Sequence, residues 1–279
     1  MIITFWGVRG SVPVSGKEYL KYGGSTTCVE ITTKNGETII VDAGTGIRKL
    51  GIKLDAEKRK NINLIFTHAH WDHIMGFPFF IPLYNKETKI KMFGCPFAQG
   101  SVKNLFSETM HPPYFPVNFN DIKAKISYSK SCKRVFRIDT VEIMPVPLSH
   151  PNSGLGYKFT EDGKSFVFLT DNELTYRHTG GLDFNGYVKF CKNAGLLIHD
   201  SEFTGKEYRF TKTWGHSVFN DALRLALSAG VKQFILWHHN HERTDAALDK
   251  IVADCRKTIE KNGKKLNCFA AEEGMKINL

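Results

Sequence analysis

The chain has 279 residues, 42% of them hydrophobic, and a formal charge of +10. That is enough to bury a substantial core in one large α/β domain or two smaller ones. No stretch approaches the roughly eighteen uninterrupted apolar residues needed to span a bilayer, so a membrane partner is not expected.

The N-terminus, Met1 to Trp6, runs straight into strand-like sequence with no basic region or cleavage site, which argues against a signal peptide. Six scattered cysteines (Cys28, Cys95, Cys132, Cys191, Cys255, Cys268) form no C-x-x-C pair and read as reduced thiols, which points to the cytoplasm. The basic balance favours anionic partners. Short clusters such as Lys58-Arg59-Lys60 and Lys130 to Arg134 carry no interleaved aromatics and read as solvated turns.

In chain order, strands are expected at Ile2–Trp6 and Cys28–Thr33, then, after an Asn35-Gly36 hairpin turn, at Glu37–Val41. The apolar run Asn61–Phe66 leads into "THAHWDH". A Phe/Pro-rich insertion at about 76–120, most marked from Gly76 to Pro116, reads as loops and short helices that cover a site. No linker or repeat divides the chain, so a single domain is expected.

Beyond the insertion a pattern recurs. Apolar runs end at Ser149-His150, at Asp171, at His199-Asp200 and at His238. Each has the length of a buried strand. Pro145 and Pro147 suggest that one of these strands lies at an edge. Ser217 is the expected N-cap of a helix through Ala229, which Gly230 stops. Helices between strands give an α/β fold, and ligand sites in open α/β sheets gather beyond the carboxyl ends of strands.

His68 and His70 cannot share a helix face, but on a tight loop both turn toward one cation. Asp72 and His73 follow closely enough to serve a second. Downstream donors are His150, the cluster His238-His239-Asn240-His241, and Asp171, a carboxylate placed to bridge. The inventory is three histidines plus Asp171 for one cation, and Asp72, two histidines and Asp171 for the other. Nitrogen and oxygen donors without thiolate suit Zn²⁺, with Mn²⁺ or Fe as alternatives. Two such ions clamp the oxygens of a displacement. His111, His178 and His199 read as hydrogen-bonded structural residues.

"HAHWDH" resembles the H-x-H-x-D-H motif of the metallo-β-lactamase-fold hydrolases, a likeness that covers nearly the whole chain. It implies a four-layer αββα sandwich with a di-metal site on one edge. "VDAGTG" is similar to the family's early Asp-x-Gly turn, which implies that Asp42 orients a ligand histidine. His70 argues against the redox diiron branch, and "PLSHPNSG" departs from the thioesterase and lactamase pattern around the third ligand. "WGHS" followed by "FILWHH" resembles the tRNase Z and cyclic-phosphodiesterase branch, in which the last ligand directly follows its strand; that selects His238 over His239 and His241. "FWGVRGSVP" and "YGGSTTC" look closest to phosphoribosyl cyclic phosphodiesterases and cyclic-nucleotide phosphodiesterases of this fold.

The resemblance implies a phosphodiesterase with metal ligands His68, His70, Asp72, His73, His150, Asp171 and His238. In that chemistry Asp72 orients or deprotonates the attacking water, and His216, held by Asp200, protonates the leaving alkoxide. Arg9, Ser11 and Gly23-Gly24 are candidate phosphate contacts, and Tyr84, Phe93, Tyr114 and Phe115 candidate base-stacking rings. The leading substrate is a small anionic cyclic phosphodiester, a 3′,5′-cyclic nucleotide. The alternatives are a tRNA 3′-processing endonuclease acting on RNA, and a non-catalytic nucleotide-binding protein. Dimers are common in this fold, so a homodimer is allowed.

Overall fold

The computed structural model describes residues 1–94, 102–129 and 135–279. Its strands are β1 (Ile2–Gly7), β2 (Cys28–Thr32), β3 (Thr38–Val41), β4 (Asn61–Ile65), β5 (Lys89–Phe93), β6 (Lys125–Ser129), β7 (Phe136–Ile138), β8 (Val141–Pro147), β9 (Leu155–Glu161), β10 (Lys164–Leu169), β11 (Leu196–Asp200), β12 (Gln233–Trp237), β13 (Asn267–Ala270) and β14 (Lys276–Asn278). The helices are α1 (Ile47–Ala56), α2 (Trp71–Ile74), α3 (Val102–Thr109), α4 (Phe184–Cys191), α5 (Gly205–Thr211), α6 (Phe219–Ala229) and α7 (Asp245–Lys261).

Two seven-stranded sheets form, ordered β14-β1-β2-β3-β4-β5-β6 and β13-β12-β11-β10-β9-β8-β7. Each is antiparallel at one end and parallel at the other: β3 through β6 are parallel in the first, β10 through β13 in the second.

Side-chain alternation along the strands builds the layers. On β1, β10 and β12, Ile3, Phe5, Phe166, Phe168, Ile235 and Trp237 point into the space between the sheets. Val167, Leu169, Phe234 and Leu236 point the other way, onto Ala222, Leu225 and Ala226 of α6 and Leu248 and Val252 of α7. On the first sheet Ile40 and Leu64 face outward, under Ile47, Leu50 and Leu54 of α1. The result is an αββα sandwich in which the parallel strands β3, β10, β11 and β12 are buried on both faces, hence their apolar runs, whereas β5 alternates buried and exposed side chains and β6 is exposed or half-buried.

Four expectations need correction. Lys89–Phe93, inside the expected insertion, is β5 of the first sheet and pairs with β4 from Asn61↔Lys89 to Ile65↔Phe93. Phe77, Phe80, Phe106 and Phe119 fill the outer core rather than a lid. β8 is not an edge strand, but β7 pairs only its start, up to Phe136↔Ile143, so Pro145 and Pro147 fall past that pairing. Ser217 does not cap α6. Its hydroxyl donates to Asn172 O and accepts Leu174 N, and Val218 takes the N-cap position. Gly230 does stop the helix, at φ 68°.

Cys28, Cys191, Cys255 and Cys268 are free and buried; Cys95, Cys132 and Lys130–Arg134 lie outside the described residues. No helix among the described residues is long and apolar enough to cross a membrane.

Phe166 is 1% exposed and stacks on Phe159 at 4.6 Å between ring centroids. Phe166→Ala is expected to lower unfolding free energy by about 3–5 kcal/mol in urea denaturation, because the rigid sheets cannot collapse onto the void.

Candidate metal centre

The strand ends supply the site. His68 to His73 follow β4, His150 follows β8, Asp171 follows β10, Asp200 ends β11 and His238 follows β12. Three of the turning residues adopt left-handed backbone: Asp42 (φ 62°), Asp171 (φ 40°) and His238 (φ 59°). Each reverses the chain directly after a buried strand and swings a polar side chain across the rim, a strained conformation that persists only where its surroundings over-determine it.

All seven residues expected to hold metal converge. His68, His70, His150 and Asp171 offer donor atoms within 4.8 Å of one another, as do Asp72, His73, Asp171 and His238. Asp171 belongs to both groups and divides its oxygens between them. Its Oδ2 lies 3.4 Å from His68 Nε2 and 3.8 Å from His150 Nε2; its Oδ1 lies 3.2 Å from His73 Nε2 and 3.3 Å from His238 Nε2. Asp72 Oδ2 completes the second group, 3.0 Å from His238 Nε2 and 3.4 Å from His73 Nε2. His70 reaches His150 Nε2 through Nδ1, at 3.0 Å.

The outer nitrogen of four imidazoles is committed elsewhere, which fixes each ring. His73 Nδ1 lies 2.7 Å from Asp42 Oδ2, His150 Nδ1 donates to Gly215 O at 3.0 Å, His238 Nδ1 lies 3.1 Å from Glu202 Oε2, and His68 Nδ1 meets Thr67 Oγ1 at 3.1 Å. Asp42 also accepts the Thr67 N–H and hydroxyl. Gly10 is needed beside His238: a Cβ there would sit 2.2 Å from the ring.

Electrostatics divide the two groups. Burial alone would depress His73 and His238, but Asp171, joined by Asp72 at both rings, by Asp42 at His73 and by Glu202 at His238, raises both well above the usual histidine range. Burial works against the anions of Asp72 and Asp171, yet the same histidines hold both well below the ordinary carboxylate value. In the other group burial, reinforced by neighbouring imidazoles, lowers His70 to about 4 and pushes His150 far down. Both rings are therefore held uncharged, the form in which an imidazole ligates a metal. His68 is 2% exposed, and its Nε2 has no hydrogen-bond partner among the described residues. A buried nitrogen without a partner, among imidazoles and one carboxylate, is a donor set that a divalent cation satisfies, so the residues fit the metal that the motif implies.

His216 lies over both groups, its ring stacked on His238 at 4.9 Å and edge-on to His150 at 5.3 Å. Its Nδ1 is 2.9 Å from Asp200 Oδ2 and 3.3 Å from Glu202 Oε2. Burial disfavours its charge, but Glu202 and Asp200 outweigh that and raise it to about 9.

Other candidates do not join the site. His239 bonds Ala271 O, and His241 lies 3.8 Å from Glu242. Arg9 is fully buried and donates to the carbonyls of Gly23, Asn240 and Arg243, so it ties loops together rather than meeting phosphate. Ser11 bonds Asp72 Oδ2 through its backbone N–H. Phe93 is 5% exposed and stacks on Phe136, which removes it as a stacking ring for substrate; Tyr84 donates to Pro78 O, and Tyr114 is 75% exposed. His199 and His178 are hydrogen-bonded structural residues, to Asp200 O and Glu173. Sequence reasoning missed Glu202 and Thr67, although both flank residues it named: "HDSE" continues β11, and "TH" opens the motif.

A family model described as "Beta-lactamase superfamily domain" matches residues 37–239, a span that holds every residue of both donor groups. The chain belongs to this superfamily. It is a metallo-β-lactamase-fold hydrolase. Aligned over its whole length, it is 23% identical to a Ribonuclease Z of Haloferax volcanii and spans 95% of that protein. Its fold is similar to that of human tRNase Z, short form (19% identity, TM-score 0.66, covering 100% of this chain and 99% of that one). It is similar too to unliganded yeast PDE1 (16% identity, TM-score 0.68, covering 100% and 99%).

Asp42 is fully buried, makes three hydrogen bonds and holds a left-handed φ. In the metal-free hydrolase, Asp42→Ala is expected to cost about 3–5 kcal/mol by urea denaturation, since buried His73 and Thr67 lose their acceptor. Asp42→Asn, which tolerates that backbone, costs less.

Proposed function

We propose that the hydrolase cleaves phosphodiesters with two divalent cations, most simply zinc, and that its substrate is RNA, cut near a 3′ end. The observation that carries the chemistry is the division of Asp171 between two donor groups, with His216 seated over both. Cations held by His68, His70, His150 and Asp171, and by Asp72, His73, His238 and Asp171, supply Lewis acidity toward phosphoryl oxygens and lower the pKa of water. That answers the main obstacle to the reaction, which is attack by an anion on an anion.

The chain's own residues do the rest. Asp72, fixed by the Ser11 N–H at 2.9 Å, orients the attacking water. His216 is anchored through Nδ1 by Asp200, so Nε2 is the nitrogen that hands a proton to the leaving alkoxide. The full-length similarity to a Ribonuclease Z supports RNA over the cyclic nucleotide that the opening segment led us to expect, and a formal charge of +10 suits a polyanion.

A cyclic nucleotide remains the second reading, for one structural reason. The "GVRGSVP" loop that carries that resemblance packs on the site, Ser11 against Asp72 and Gly10 against His238.

Precursor tRNA, cyclic AMP, cyclic GMP and bis-p-nitrophenyl phosphate should be assayed side by side, with metal analysis of the same protein. The expected outcome is cleavage of the RNA and the p-nitrophenyl ester, abolished by chelation and restored by zinc. Turnover of cyclic nucleotides alone would select the second reading, and metal-loaded protein inert on all four would sink both. His216→Ala is expected to cut kcat by about 10²–10⁴-fold on RNA, whose alkoxide needs a proton, and far less on the p-nitrophenyl ester, whose leaving group does not. Equal losses on both substrates would remove His216 from the acid role.

A further inference from the structure

Glu173 lies two residues beyond Asp171 and is 1% exposed. Its Oε1 accepts the Tyr208 hydroxyl and the Thr213 N–H (2.8 Å); its Oε2 accepts the Gly215 N–H (2.9 Å) and pairs with His178 Nε2 (2.8 Å). Those four partners use the full acceptor capacity of a carboxylate. Three of them belong to α5 and the loop after it.

That loop is strained where Glu173 grips it. Thr213 has φ 77° and Gly215 φ 94°. A β-branched residue in the left-handed region is a genuine outlier, and it persists here with its N–H committed to Glu173. Gly215 admits no side chain, since a Cβ would lie 2.0 Å from His150 Nδ1. Its N–H goes to Glu173 while its C=O accepts His150 Nδ1 at 3.0 Å, and the next residue is His216. A single residue thus connects Glu173 to an imidazole of one donor group and to the acid above both groups.

We infer that Glu173 is a positioning residue, which sets the ring of His150 for metal and the reach of His216 for substrate through Gly215. Its carboxylate belongs to neither of the two donor groups that share Asp171, and it is buried away from solvent. The requirement is for an anion and not merely for bulk: Gln would turn an N–H toward one of the two backbone donors, and Asp is too short to span both sides.

The test uses the full chain. Stepwise zinc affinities are measured by competition with a chromophoric chelator, alongside thermal unfolding of the metal-free protein and kcat and KM on bis-p-nitrophenyl phosphate and RNA. In Glu173→Gln one zinc step is expected to weaken by about 10–100-fold, while the step served by Asp72, His73 and His238 stays near wild type. On RNA kcat falls and KM changes little. A purely structural role predicts a different result, with both zinc steps weakened together or neither weakened, and either outcome overturns the assignment.

Should Glu173→Gln fail to fold, Tyr208→Phe carries the test. It removes one of the four donors, so the same single zinc step is expected to weaken by about 2–10-fold; wild-type zinc binding and kcat in that variant refute the inference. The kcat arm rests on the phosphodiesterase reading, whereas the zinc arm does not. Absence of turnover in the wild type would therefore defeat the proposed function without deciding the question about Glu173.

Discussion

The carboxylate of Asp171 is the constraint on which the rest of the site depends. Among the described residues it is the one group that belongs to both donor sets, and it is almost wholly buried. A buried carboxylate is costly unless opposite charge meets it on every open side. His73 and His238 do so on one oxygen. On the other stand His68, His70 and His150, two of which burial and mutual repulsion keep uncharged. The two oxygens of one carboxylate thus face two differently charged surroundings, both built from donors that can hold a metal ion.

That arrangement demands a scaffold able to hold strand ends in fixed relation, and the sandwich provides it in two ways. The inner core ties the sheets together, with Trp237 packed between Phe5 and Phe168 at 5.4 and 5.3 Å. At the rim the loops of the two sheets are joined directly. His239 N donates to Val8 O and Gly10 N donates to His239 O, while the Arg9 guanidinium gathers three more carbonyls beneath them. The basic residue that looked like a phosphate contact does structural work instead. Burial lowers its pKa, and Asp245, 3.9 Å from Nη2, partly offsets that cost.

Much of the site was legible in the sequence, because its donors sit where a local pattern changes. A buried strand reads as an apolar run, and a His or Asp at its end has no packing reason to be there; His150, Asp171 and His238 stand out on that ground. The H-x-H-x-D-H spacing does the same at short range. What stayed hidden depends on contacts distant in sequence. Glu202 meets His238, 36 residues away, and Glu173 meets Gly215, 42 residues away; neither spacing is periodic. β5 was missed because Lys89–Phe93 alternates with lysine in a stretch dominated by Phe and Pro. The aromatic run that resembled a lid proved to be core, since a Phe-rich segment reads alike in either place.

The residues that hold the ligand rings have a common physical logic. An imidazole that points one nitrogen at a cation must place the other somewhere, and here each acceptor comes from a different element: Asp42 after β3, Glu202 after β11, Gly215 O after α5. The side chains nearest the reaction are thus held by residues spread across both sheets and one external loop. Rigidity reaches the centre from outside, so a change at the periphery acts on chemistry through the orientation of a ring rather than through its identity. The apolar layers can absorb the cost of left-handed turns and buried carboxylates because they are dense and continuous on both sides of the parallel strands β3, β10, β11 and β12, which end at the site. In this fold the stability of the layers and the strain of the rim are complementary, and the strain persists only as long as the layers remain intact.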